Sequence, residues 1–337
     1  MGDPVDLIID RLTREKISIE LPPRFRVPPE GARRELGLPD FVDLSDPLVA
    51  KAVSLAYWAS RQPNGGPPIA FLGGVAHRLR CPASNDPASG LMRPLHDIDL
   101  ACLHKQIRPT MGFLKSVRDP GGSALTFFET PGDRTFNALT GGRRQRLHTV
   151  VGAQSDQVEL AITDILADEF SFCHTFDLRA DVQAARTSGW TISPTLLLLA
   201  KLQFIQRIPA SNAPAVQDRV LEPFGKHEVL IGLEPKDSQD VLAVLRDLPV
   251  GERGGGVSRD VFSRMLLADW GLWRTVGLNL RSIARSRLLA GLPDSVRSVV
   301  VPKLGALEEA VQAAHPRRRF TFGQSQWWQE VDSPGNP

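Results

Sequence analysis

Apolar positions along the chain follow two periods. Leu48, Val49, Val53, Ala56 and Tyr57 recur at helical spacing behind Asp46-Pro47, a helix start with Pro in the first turn. The breaker run Pro63-Asn64-Gly65-Gly66-Pro67-Pro68 ends that helix. Ile69-Ala70-Phe71-Leu72 reads as a short buried strand closed by Gly73-Gly74, with a helical turn or two over 75–80. A polar, proline-containing loop over 81–95 leads to a second strand, Asp97 to Leu103, and then to a helix over 105–117. Arg146 to Val151 and Val158 to Ile162 read as a hairpin turning between Gly152 and Gln157, so the sheet is expected to be mixed.

From Ser193 the pattern becomes helical. Ser193-Pro194 starts a helix carrying Leu196, Leu197, Leu199, Ala200, Leu202 and Phe204. Further helices are expected over 237–247, 258–268, 271–289 and 294–313, with Gly251 to Gly256 as a flexible connection. Residues 19–45, rich in Pro and Gly, form an irregular lead-in, and no period of 20–50 residues repeats. The expected fold class is α/β (α+β), a small mixed-sheet core followed by a C-terminal helical domain. The boundaries are 1–67 for the lead-in and first helix, 68–190 for the core and 191–337 for the helical part.

Composition narrows the partners. With 337 residues, 42% of them hydrophobic, 23% charged and a net charge of +2, the chain is globular, and no global field selects nucleic acid or membrane. The start lacks a basic-then-apolar signal, Asp6 stands where myristoylation wants Ser or Thr, and apolar runs fall far short of the ~18 residues a span needs. Three scattered cysteines, Cys81, Cys102 and Cys173, fit a reducing compartment. A cytoplasmic protein without a membrane partner is expected.

Asp97-Ile98-Asp99-Leu100 carries the chemistry. Side chains alternate along a strand, so Asp97 and Asp99 share a face with Cα atoms ~6.6 Å apart, while Ile98 and Leu100 face the core. Two crowded carboxylates call for a cation, and oxygen-only donors suit Mg²⁺ or Mn²⁺ sharing its other positions with water and phosphates. Glu159, in Val158-Glu159-Leu160, has the alternation to be a third carboxylate on a neighbouring strand. A Gly73-Gly74 turn at a helix mouth lets backbone approach a phosphate and aims the first N–H groups at it. Opposite the carboxylates, it would grip a nucleoside triphosphate from the other side.

These residues resemble a known signature. Leu72-Gly73-Gly74 followed by Asp97-Ile98-Asp99-Leu100 looks like that of the DNA polymerase β-like nucleotidyltransferases, nearest the AbiEii-type branch and related bacterial proteins. The run from Ser193 to Leu202 and Lys236-Asp237-Ser238-Gln239-Asp240-Val241-Leu242 look like that branch's lysine helix and aspartate motif. The likeness covers roughly residues 69–245. It implies that 68–190 is the catalytic domain, that Lys201 contacts the triphosphate, and that Asp237 or Asp240 supports the site from the helical part. It implies an enzyme moving a nucleotidyl group from an NTP such as ATP to an acceptor hydroxyl on RNA, protein or a small molecule, with release of pyrophosphate. A toxin-like role with an antitoxin-like partner belongs to the same expectation. Gly74 stands where many relatives have Ser, and Glu159 where Asp is commoner. Those departures leave a non-catalytic nucleotide-binding regulator as the alternative, and a structural protein that binds no nucleotide beyond it.

Other clusters carry less. His77, Cys81, Cys102, His104, Cys173 and His174 lack the paired spacing of zinc ligands, and no G-x-S-x-G appears. Arg143, Arg144 and Arg146 precede a strand near the proposed site, where a phosphate or RNA backbone is their candidate partner. The run His315 to Phe320 reads as a solvated tail, and Trp270, Trp273, Trp327 and Trp328 as packing between C-terminal helices, with a stacking platform for a base as the alternative.

Overall fold

Helix α1 (Pro47–Arg61) begins where Asp46 turns its carboxylate back onto the amides of Leu48 and Val49, at 2.9 and 3.2 Å. The computed structural model describes residues 35–62, 66–116, 127–154, 157–251, 255–316 and 326–329, with backbone alone at 151–154 and 157–159. Residues 1–34, 252–254 and 317–320 lie outside, and with them most of the lead-in, part of the Gly251–Gly256 connection and most of the C-terminal basic run.

The α/β part runs β1 (Ile69–Leu72), α2 (Gly73–Arg80), β2 (Asp97–Cys102), α3 (Ile107–Ser116), β3 (Phe127–Phe128), α4 (Pro131–Leu139), β4 (Arg144–Gln154) and β5 (Gln157–Ala167). The strands form one sheet in the order β1-β2-β5-β4-β3. Only the β2–β5 pair is parallel, so the sheet is mixed. Register sets Leu72 and Asp164 on either side of Asp99. Ile98, Leu147, Thr149, Thr163 and Ile165 alternate with these positions and are fully buried on the other face, against which α1 packs.

Lys51 of α1 is enclosed there. It donates to Thr149 Oγ1 and, at 2.6 Å, to the Val150 carbonyl, with the Phe127 ring 5.0 Å away. Burial pushes its amine down to about 7. Between about 7 and the ordinary 10.5 the unfolded chain holds a proton that the folded chain has released. Stability should therefore rise with pH across that window, on the order of 1 kcal/mol per pH unit. Lys51→Met should flatten the rise, as read by denaturant melts at a series of pH values.

Beyond β5 come a small hairpin, β6 (Glu169–Ser171) with β7 (Thr175–Asp177), then α5 (Arg179–Ala184) and the leucine-rich α6 (Pro194–Leu202). Residues 206–231, within the part expected to be a helical domain but assigned no helix of their own, hold a three-stranded antiparallel sheet: β8 (Gln206–Pro209), β9 (Val220–Phe224) and β10 (Glu228–Ile231), with β10 central. Pro209, Pro214, Pro223 and Gly225 deny this stretch a continuous helix. Then follow α7 (Pro235–Asp247), β11 (Val250–Gly251), β12 (Val257–Ser258), α8 (Arg259–Ala268), α9 (Trp270–Ala284), α10 (Arg287–Gly291) and α11 (Asp294–Ala313). The helix expected over 271–289 is thus two. Ser286 Oγ accepts from the Leu289 amide at 3.1 Å and starts the second.

The result is an α+β fold, a mixed-sheet core followed by a helical region. One buried apolar cluster joins them, with Val75, Ala76 and Leu79 of α2 packed against Leu197–Leu199 of α6 and Val241–Leu245 of α7. Trp273 Nε1 donates to the Val311 carbonyl at 2.8 Å, tying α9 to α11, while Trp327 and Trp328 pack on Phe224. Among the described residues no helix is long and apolar enough to cross a membrane.

Candidate functional site

The open face of the sheet carries Asp97 and Asp99 on β2 and Asp164 on β5, and all three line one cleft. Its other walls come from Gly73 and Gly74, from Arg93 and His96, and from Lys201 and Asp237 of the helical region.

Gly73 has φ +62°, and a Cβ there would lie 2.1 Å from Asp99 Oδ2. At Gly74 a Cβ would come within 2.7 Å of Arg93 Nη2 and 2.6 Å of Leu95. Asp99 and Arg93 are therefore seated in spaces that a side chain at either glycine would fill. The turn opens α2, whose N-cap residue Leu72 offers no side-chain acceptor to the first amides. Gly73→Ala should cost about 1–3 kcal/mol in backbone strain and displace Asp99. Thermal melts and a crystal structure of the variant would check both.

The 81–95 segment is held by hydrogen bonds along its length instead of being a free loop. It holds two 3₁₀ turns, Pro82–Ser84 and Pro87–Ser89. The buried Arg78 donates to the carbonyls of Ser84 and, at 2.8 Å, Arg93, while the Ala83 amide donates to Asp247 on α7 at 2.7 Å. That stitching delivers Arg93 to the cleft. The sequence signal for Arg93 was slight, a lone arginine three residues ahead of His96.

Arg93, Lys201, Asp237 and Asp240 form a buried network. Asp240 receives Arg93 Nε at 2.9 Å and Nη2 at 2.8 Å, and sits 3.1 Å from Lys201 Nζ. Lys201 also donates to Asp237 at 2.7 Å. Burial opposes charge on Asp240, yet His77, Lys201 and Arg93 hold its carboxyl well below the usual range. Burial likewise opposes charge on Lys201, and Asp240 with Asp237 keep it above an ordinary lysine. Asp237 lines the cleft, whereas Asp240 lies behind it and positions the two cations.

The third carboxylate at the sheet is Asp164, where Glu159 was expected. Parallel pairing sets Asp164 beside Asp99, while Glu159 lies opposite Gly152 on β4. It is five residues back along β5, roughly 16 Å at strand rise, and ahead of the point where β2 begins pairing. The Glu159 side chain lies outside the described residues. An acid inside the apolar run Leu160 to Ala167 was the available signal, once the strand is allowed to continue past Ile162.

Asp164 is already engaged. Arg144 Nη2 stands at 2.5 Å, and Arg146 Nε and Nη2 at 3.0 and 3.3 Å. Both guanidinium groups lie over the Phe136 ring, at 5.4 and 4.5 Å from its centroid, and Arg144 also over Phe172. The expected basic cluster thus turns two of its arginines onto a carboxylate.

Enclosure, with Asp97 and Asp164 nearby, raises Asp99 to about 7. Such a pair is short of positive charge. Among the described residues no group of three or more His, Cys, Asp or Glu side chains is arranged to hold a metal ion. Asp97 and Asp99 nevertheless suit one Mg²⁺ or Mn²⁺, because that cation takes one or two carboxylates and fills its sphere with water and phosphate oxygens. Asp164, committed to its arginines, leaves a second all-protein ion without a free carboxylate. No protein-family model matches the chain, and no curated protein matches it.

Proposed function

We propose that the protein is a metal-dependent nucleotidyltransferase of the DNA polymerase β-like kind, moving a nucleotidyl group from an NTP to an acceptor hydroxyl. One observation carries the reading. An Asp97–Asp99 pair on an open sheet face is flanked by a glycine turn at a helix start, with Arg93 and Lys201 lining the same cleft. A Mg²⁺ or Mn²⁺ held by Asp97 and Asp99 would neutralise triphosphate charge and polarise the α-phosphorus. Lys201 and Arg93 would meet the β- and γ-phosphates, their charge secured by Asp240. The space at Gly74, where many members of the family it resembles carry Ser, is filled by the Arg93 guanidinium, which supplies donors where the hydroxyl is missing. Three buried cysteines without disulfides suit the cytoplasm. By resemblance, the acceptor is an RNA, a protein or a small molecule, and an antitoxin-like protein would restrain the enzyme.

A second reading, a nucleotide-binding regulator without turnover, is favoured by the engagement of Asp164 with Arg144 and Arg146. The test supplies each NTP labelled in its α-phosphate with Mg²⁺ or Mn²⁺, and total-cell RNA or soluble protein as acceptor. Transfer of label with release of pyrophosphate is the expected result. Metal-dependent NTP binding without transfer would replace the enzyme with the regulator.

A further inference from the structure

Each arginine and lysine lining the cleft already answers a carboxylate. Arg93 is paired with Asp240, Arg144 with Asp164, Lys201 with Asp237 and Lys236 with Glu234. A second recess, in the helical region, has the opposite character. It encloses about 310 Å³ between the turn leading into β9 and the junction of α9 with α10, and Arg281, Arg285 and Arg287 all line it. It shares no lining residue with the cleft.

The helix junction gathers these arginines. α9 ends where Arg285 leaves helical geometry, at φ −103° and ψ 1°, and Ser286 then caps α10. Ile283 and Leu289 stay in the core across the break, while Arg281, Arg285 and Arg287 are turned outward and exposed. Among the described residues none of the three guanidinium groups makes a hydrogen bond or an ion pair. Asp218 lines the same recess, and Glu308 of α11 lines a neighbouring one with Arg281 and Arg285, yet neither is bonded to them.

Helix stability accounts for only part of this cluster. Arg281, in the last turn of α9, faces the negative end of that helix. Arg287 opens α10, the end where a cation is unfavourable. Arg281 and Arg285 also stand four residues apart, a spacing at which like charges repel.

The recess selects its ligand by charge. Guanidinium groups present planar pairs of donors that match phosphate oxygens, and three of them together call for more than one negative charge. Ser282 and Gln217 add polar groups, and the described lining carries no aromatic ring on which a base would stack. Phosphate is therefore the group recognised.

We infer that this recess is a binding site for a phosphate-bearing anion, held by Arg281, Arg285 and Arg287 and separate from the cleft. Free polyphosphate and the backbone phosphates of an RNA carry the same chemistry. The recess takes such a ligand whether or not the cleft transfers nucleotides.

The test measures binding of inorganic pyrophosphate by calorimetry and of a short fluorescein-labelled oligouridylate by anisotropy. EDTA is present throughout, so that the cleft offers only cations already paired with carboxylates. Wild type should bind at least one probe, and Arg281→Gln/Arg285→Gln/Arg287→Gln should weaken that binding about tenfold or more. A loss that includes pyrophosphate identifies free polyphosphate as a ligand. A loss confined to oligouridylate, with the slope of log affinity on log salt falling by about 2, identifies the RNA backbone. A control variant, Arg108→Gln/Arg134→Gln/Arg264→Gln, removes three exposed arginines elsewhere and should bind as wild type does. Should the recess variant melt below wild type, Arg287→Gln alone is read in its place, with a smaller loss expected. No binding of either probe by wild type would overturn the inference. Unchanged affinity in the recess variants, or an equal loss in the control, would overturn it as well.

Discussion

Asp99→Asn is expected to lower nucleotidyl transfer about 10²–10³-fold while the fold persists. Asn keeps the size and removes the charge that a cation on Asp97 and Asp99 needs. Asp99 is also the group most crowded by its neighbours, raised to about 7 by enclosure, Asp97 and Asp164. Removing one negative charge there relieves repulsion, so the variant should melt no lower than wild type. Steady-state transfer of an α-labelled NTP and a thermal melt would decide it. Retained transfer in Asp99→Asn and in Asp97→Asn would sink the catalytic assignment.

Asp240→Asn should do the reverse, striking stability first. Asp240 is 2% exposed and answers two cations, Arg93 and Lys201, from different parts of the chain. Removing one partner from a buried ion pair leaves uncompensated charge and costs about 3–5 kcal/mol. The pH dependence has a definite sign. The folded carboxyl lies below its ordinary value, so its contribution is fully present above about pH 4 and is lost as acid titrates it. Denaturant unfolding should show a large gap between wild type and variant at neutral pH that narrows in acid. NTP affinity should weaken too, because both cations that the proposed function assigns to the triphosphate lose their anchor.

Much of the fold was legible because its signals are local. The strand Ile69–Leu72, the Gly73-Gly74 break, Asp97–Cys102 and the leucine helix at Pro194 each carry period and punctuation within a few residues. Asp97, Asp99, Gly73, Gly74, Lys201 and Asp237 were named from sequence, and the fold brings them to one cleft. The third carboxylate was misplaced because choosing between Glu159 and Asp164 needs the parallel register of β2 on β5, a pairing across more than sixty residues. Arg93 was missed for a similar reason. Its meaning depends on Asp240, 147 residues away. The sheet over 206–231 escaped because its strands are short and only half buried, giving weak alternation.

The buried cluster that runs from the sheet through α2 into α6 and α7 has a consequence for dissecting the protein. A cut near residue 190 would strip Leu197–Leu199 and Val241–Leu245 of the α2 face they cover. Each half would expose a large apolar surface, and half of the cleft would leave with each piece. The chain should therefore melt in a single cooperative transition, and a nucleotide bound in the cleft should raise that one midpoint for both halves together.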